Sequence, residues 1–293
     1  MKKFLFLAMV LLVCGLTGIM FISCGGDDDG GGDVRADVAI NETNFPDAIF
    51  RNWLLSQDYG SDGVLTAAEI ATVTKINVSE KIHTTSLKGI EFFTALTELN
   101  CNLIGLKTLD LSKNTKLISL SCYGNQLTSL NVTRCSALKT LKCHGNLLKA
   151  LDVSGCTTLT ELNCWSNELK ELNLSKNTML ISLDCNLNQL TTLDVSGLTK
   201  LKYLHCYTNK LTMLTLSNNW NLKELYCYQN QIKGEGMDAL VASLPTVSSG
   251  GDMYVIYHSD EKNLMTTTQV AAAKAKKWEP RYYNFKSKTW KVL

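Results

Sequence analysis

The stretch Leu117-Ile-Ser-Leu120-Ser-Cys122-Tyr-Gly-Asn125-Gln-Leu127-Thr-Ser-Leu130-Asn-Val132 decides the fold. Its pattern, L-x-x-L-x-C-x-x-N-x-L-x-x-L-x-[LV], opens at Leu96, Leu117, Leu138, Leu159, Leu180, Leu201 and Leu222, a fixed period of 21. Cysteine keeps step at Cys101, Cys122, Cys143, Cys164, Cys185, Cys206 and Cys227. A period held over this many copies specifies a solenoid, because one copy can bury its apolar face only against its neighbours.

Within a copy, Leu120 and Cys122 alternate with Ser119, Ser121 and Tyr123. Strand geometry sends successive side chains to opposite faces, so the leucine and cysteine point in and the others out. The phrase resembles the leucine-rich repeat, with cysteine in the third leucine position, and that family places this segment as a short parallel strand on a concave face. The second beat (Leu127-x-x-Leu130-x-Val132) is too short for a helix, so the returns are expected to be extended and the solenoid nearly straight. The fold class is therefore an α/β solenoid, mostly β, with a cap at each end.

The asparagines Asn125, Asn146, Asn167, Asn188, Asn209 and Asn230 are expected to turn inward and bond the backbone of the bend. Ile104 takes that place in the first copy. Cys135 and Cys156 alternate with Asn114, Asn177 and Asn219 at a second bend and read as core. The chain has 11 cysteines, of which Cys14 and Cys24 lie in the leader region. Ladder cysteines would stand about 4.8 Å apart, a spacing that leaves free buried thiols or disulfides open, although parallel side-chain vectors favour thiols.

Residues 1–23 read as a signal peptide: Lys2 and Lys3, an apolar run, then Ser23-Cys24. Phe21-Ile22-Ser23-Cys24 resembles a bacterial lipobox with Phe for the usual leucine, which implies lipidation of Cys24; an ordinary signal peptide or a membrane anchor is the alternative. Residues 24–39 form a Gly/Asp tether. The Cys-Gly-Gly-Asp-Asp-Asp run resembles the export signal of Bacteroidetes surface lipoproteins, which implies an outer-membrane lipoprotein exposed at the cell surface.

Residues 40–72 read as a helical cap whose first helix carries the stripe Ile49, Phe50, Trp53 and Leu54. Asp58 to Glu69 resembles an EF-hand loop, which implies one calcium ion held by Asp58, Asp62, the Val64 carbonyl and Glu69; Gly60 replaces a ligand, and a plain turn is the alternative. The solenoid spans 73–232, beginning with an atypical rung at Val73-x-x-Ile76-x-Val78. Residues 233–293 form an α+β cap expected to cover the edge of the last rung. Its elements are a helix over 234–244, a strand over 253–258, a helix over 266–278 and a strand over 282–285, with Phe285, Trp290 and Val292 inside.

Net charge is +2, with the charges well mixed, which offers no field for nucleic acid. No phosphate loop, nucleophile elbow or zinc motif occurs, and Cys143-His144 and His205-Cys206 are strand neighbours that point oppositely. An enzyme is not expected. The outward strand positions instead collect rings: Tyr123, His144, Trp165, Tyr207 and Tyr228 after the cysteine, His205 and Tyr226 before it, and Tyr203 beyond, with Asn102 and Asn186 in the same outward row. Exposed Tyr and Trp suit recognition, while cross-strand stacking that only stabilises the sheet is the other reading. Lipobox, tether, cap and Cys-bearing rungs together resemble the surface leucine-rich-repeat lipoproteins of Bacteroidetes, including BspA-like adhesins. That resemblance implies non-enzymatic recognition of a host or bacterial surface protein, with glycan capture or a passive scaffold as alternatives.

Overall fold

A computed structural model describes residues 36–79, 84–248, 250–257 and 261–293. The expected signal peptide, Cys24 and most of the tether lie outside these residues, as do His83 and His258.

The repeat phrase folds as expected. Each rung contributes a strand of three residues: β4 (Glu98–Asn100), β6 (Ser119–Ser121), β8 (Thr140–Lys142), β9 (Glu161–Asn163), β10 (Ser182–Asp184), β11 (Tyr203–His205) and β12 (Glu224–Tyr226). Strands this short hold only because they stack in parallel, leucine against leucine: Leu99 on Leu120, Leu120 on Leu141, Leu141 on Leu162. The 23-residue step at the first rung is real, since β3 (Lys75–Asn77) pairs Ile76 with Leu99. Before it, β1 (Val38–Ala39) pairs with β2 (Val64–Leu65) in the cap.

The repeating leucines and all nine described cysteines fill one continuous interior, and the thiols are free and buried. Burial pushes the Cys206 thiol up to about 12, so these sulfurs behave as small apolar groups and not as nucleophiles. The asparagine ladder caps the bend. Asn125 Oδ1 accepts from the backbone N–H of Ile104, Gly105 and Leu106 at 2.9–3.1 Å. At the second bend Asn177 donates to the carbonyls of Val153 and Cys156, both at 2.9 Å, whereas Cys135 offers a weak S–H to Leu111 O at 3.5 Å.

The returns are non-helical, as expected, but few of them form a ladder. Only β5 (Thr108–Asp110) and β7 (Ser129–Asn131) pair as strands. Later returns keep one backbone bond to the preceding rung, as Glu168 N to Leu148 O at 2.9 Å. Their Asp or Asn then folds back onto the N–H two residues on, as Asp152 does to Ser154 at 2.9 Å. The ladder is therefore one-sided, with the strand face as its stiff face.

The N-terminal cap carries α1 (Ala48–Leu55), started by Asp47, whose carboxylate accepts from Ile49 N and Phe50 N. Phe50 and Leu54 are buried as expected, but Ile49 is 46% exposed because it lies on the outer flank of the stripe. At the other end, α3 (Glu235–Ser243) and α4 (Thr267–Ala275) frame three more strands, β13 (Gly251–Ile256), β14 (Trp278–Asn284) and β15 (Thr289–Val292). This module covers the edge of the last rung as expected, and it does so by strand addition, β13 pairing with β12. β13 and β14 continue the parallel sheet and β15 closes it antiparallel, making eleven strands.

Two details of that end are corrected. The second helix stops at Ala275, because Lys277 turns in the left-handed region (φ 65) and Trp278 opens β14. Trp278, only 1% exposed, is the core residue here; Phe285 (49%) and Val292 (44%) are exposed and Trp290 is half-buried.

Candidate recognition surface

The ring positions fall on the strand face, and the structure joins them into two stacks. Successive rungs bring the residue after each cysteine into register, so Tyr123, His144 and Trp165 lie flat on one another at 4.6 and 4.8 Å between ring centres. Burial lowers the pKa of His144, so near neutral pH it stacks as a neutral ring. The second stack begins with Tyr207 on Tyr228 at 4.4 Å.

Between the stacks the strip is interrupted. Asn186 belongs to the same row but is 2% exposed, its amide donating to the Asp184 carboxylate, so it is floor rather than surface. Asn102 is likewise buried, accepting from Ser121 Oγ at 2.9 Å and Tyr123 N at 3.0 Å. A short amide can fold down to bond a neighbouring side chain or the next rung's backbone; a ring cannot. Tyr203 stands at the strand start, 39% exposed and with no ring partner among the described residues.

The second stack does not end with the repeats. Tyr226 lies on Tyr254 at 4.0 Å, Tyr228 on Tyr257 at 5.3 Å, and Tyr257 on Tyr283 at 5.0 Å. Trp290 packs edge-on to Tyr254 at 4.9 Å. These four residues escape the repeat count because their strands come after its end, although the alternation Met253-Tyr254-Val255 marks Tyr254 as an outward neighbour of Tyr226. Offset and edge-on pairs of this kind each add about 0.5–1.5 kcal/mol, so stacking does stabilise the sheet. The rings remain half-exposed nonetheless.

In the EF-hand-like loop the acidic side chains make local bonds. Glu69 Oε2 accepts from Thr66 N and Thr66 Oγ1, both at 2.8 Å, closing a capping box at α2 (Ala67–Thr72). Asp62 Oδ1 accepts from Val64 N at 3.0 Å. Among the described residues no three His, Cys, Asp or Glu side chains converge for a metal, so Asp58, Asp62 and Glu69 are not brought together. The adjacent Cys–His pairs are separated as strand geometry requires: Cys143 and Cys206 are interior, His144 and His205 outward.

No family model matches the chain, and no curated protein matches it by sequence. Solved structures do. The functional domain of InlJ from Listeria monocytogenes, which includes a cysteine ladder, is 31% identical with a TM-score of 0.62; the match covers 82% of this chain and 56% of that one. Internalin C2 from the same organism is 21% identical with a TM-score of 0.56, covering 70% of this chain and 93% of that one. The chain thus spans little more than half the length of the first of these. The fold is a leucine-rich-repeat solenoid whose cysteines stack in a ladder.

Proposed function

We propose that this is a non-enzymatic, adhesin-like protein of the cell surface that binds a protein ligand through its aromatic strand face. One observation carries the reading: half-exposed rings stack over most of the strand face of a stiff ladder. Such a surface gives contact area with little side-chain entropy to lose on binding. The buried thiols, far less acidic than a working nucleophile, speak against covalent catalysis.

The test is a binding screen of the purified chain against matrix proteins and glycans, beside a variant with Tyr123, Trp165, Tyr207 and Tyr228 changed to Ala. Binding to a protein that the folded variant loses is the expected result; a glycan hit would move the ligand class, and a variant that still binds would remove the ring face. Trp165→Ala alone should shift stability by about 1 kcal/mol or less, since it gives up one stacking partner on a half-exposed ring.

The proposal places the protein on the outer face of an outer membrane, held by a lipid on Cys24. Cys24→Ala should then move it from the membrane fraction to the soluble fraction, and retention in the membrane would refute the lipid anchor.

A further inference from the structure

The two ring stacks differ in charge. Beside the Tyr123–His144–Trp165 stack, Lys142 pairs with Glu161 at 3.4 Å, one charge against one. The C-terminal block is unbalanced. His205 lies between two carboxylates, its Nε2 2.7 Å from Glu224 Oε1 and its Nδ1 3.8 Å from Asp184 Oδ2, with the Tyr226 ring edge-on at 4.6 Å. Farther along the sheet, Arg281 repeats the arrangement, its guanidinium 2.8 Å from Asp252 and 2.7 Å from Glu279, over Tyr254 at 5.7 Å. Both internal cations of the block are thus held in one way, between paired carboxylates and against a tyrosine.

These four carboxylates face one permanent cation and one histidine. Burial works to lower the pKa of His205, but hydrogen bonds to Asp184 and Glu224 outweigh it and leave it raised. Even with His205 charged, these six side chains, four negative and two positive, sum to −2. Lys202 and Lys223 stand near the strand starts, yet neither forms an ion pair with these acids.

We propose that the cluster of Asp184, Glu224, Asp252 and Glu279, with the rings of Tyr226 and Tyr254 beside it, is the subsite for a cationic, arginine-bearing segment of the protein partner. This rests on the reading of the ring face as the recognition surface, and it deepens that reading. Rings supply faces for a guanidinium plane and the carboxylates supply paired acceptors, as Arg281 shows within the chain. Arginine fits better than lysine, whose compact and strongly hydrated ammonium neither stacks nor bonds bidentately.

Labelled deca-arginine, deca-lysine and deca-glutamate peptides, titrated into the purified chain, test it by fluorescence anisotropy. Deca-arginine should bind, deca-lysine more weakly and deca-glutamate not at all, and raising salt from about 50 mM to about 500 mM should weaken binding about tenfold. The double variant Glu224→Gln with Asp252→Asn should lose about fivefold to tenfold in deca-arginine affinity. Glu279→Gln, on an exposed side chain, gives the same readout should the double variant unfold. Deca-arginine binding that ignores both variants, or that deca-glutamate equals, overturns the subsite, as does an absence of binding. A natural protein ligand lost on the ring variant but insensitive to salt and to these carboxylates would keep the ring face and refute the cationic subsite. A ligand that the ring variant retains would refute the ring face itself.

Discussion

Asn167→Ala should cost the solenoid about 4 kcal/mol, far more than its size suggests. Its Nδ2 donates to the carbonyls of Cys143 and Cys164, both at 3.1 Å, and to Trp165 O at 3.4 Å, while its Oδ1 accepts from Leu148 N at 3.0 Å. The residue is 8% exposed, so water cannot take over. Truncation leaves several buried backbone groups unpaired, at about 1–3 kcal/mol each before relaxation. It also cuts bonds to two rungs at once. Stability in a repeat array is a sum of rungs and nearest-neighbour terms, so the loss should split the urea transition and not merely shift it. Asn173→Ala is the control. That side chain is exposed and holds one bond, from Ser175 N at 3.0 Å, worth about 0.5–1 kcal/mol. Equal losses for the two variants would show that the ladder is decoration, not structure.

What was legible in the chain follows from what is periodic. The rung, its inward Leu and Cys, and the bend asparagine all repeat, and each landed where the period put it. The aromatic surface was half legible for the same reason: Tyr123, His144 and Trp165 share one row of the count, and so do Tyr207 and Tyr228. Counting fails after Ile232, where α3 intervenes and Tyr254 follows Tyr226 by 28 residues instead of 21. The chain between them passes through α3 (Glu235–Ser243), a detour that no period encodes.

Two other features of the folded chain carry signals in the sequence. Thr66-Ala-Ala-Glu69 is a capping box in plain sequence, yet Glu69 also fell on the twelfth position of a loop template. A cap needs only residues three apart, whereas a calcium site must gather distant carboxylates against their mutual repulsion. Asp184 plus 21 gives His205, whereas Glu224 stands opposite Tyr203 on the next strand, so the period aligns the first pair and not the third member. An outward charge on a strand is ordinarily a solvated one, so nothing in the pattern singles out the trio.

The C-terminal module offers the second large effect, and it separates packing from recognition. Trp278→Ala should cost about 4 kcal/mol, in the range for an emptied aromatic site. The ring is 1% exposed, its Nε1–H donates to Pro245 O at 2.7 Å, and it lies so close to β13 that a Cβ on Gly251 would stand 2.6 Å from it. No neighbouring side chain can collapse into that space without moving the sheet, so the cavity term should be felt in full. Phe285→Ala, at a 49% exposed ring, should cost less than about 1 kcal/mol. Because β13 carries Tyr254 and β14 carries Arg281 and Tyr283, loosening Trp278 should also dissolve the aromatic block while the earlier rungs stay folded. Near-ultraviolet circular dichroism reads the tyrosine stack, and far-ultraviolet signal reads the ladder. The expected result is a two-step melt in which the near-ultraviolet signal goes first. If Phe285→Ala destabilises as much as Trp278→Ala, the module packs around the wrong ring here; if both signals vanish together, the module and the rungs form one cooperative body, and the recognition block borrows its rigidity from the whole ladder.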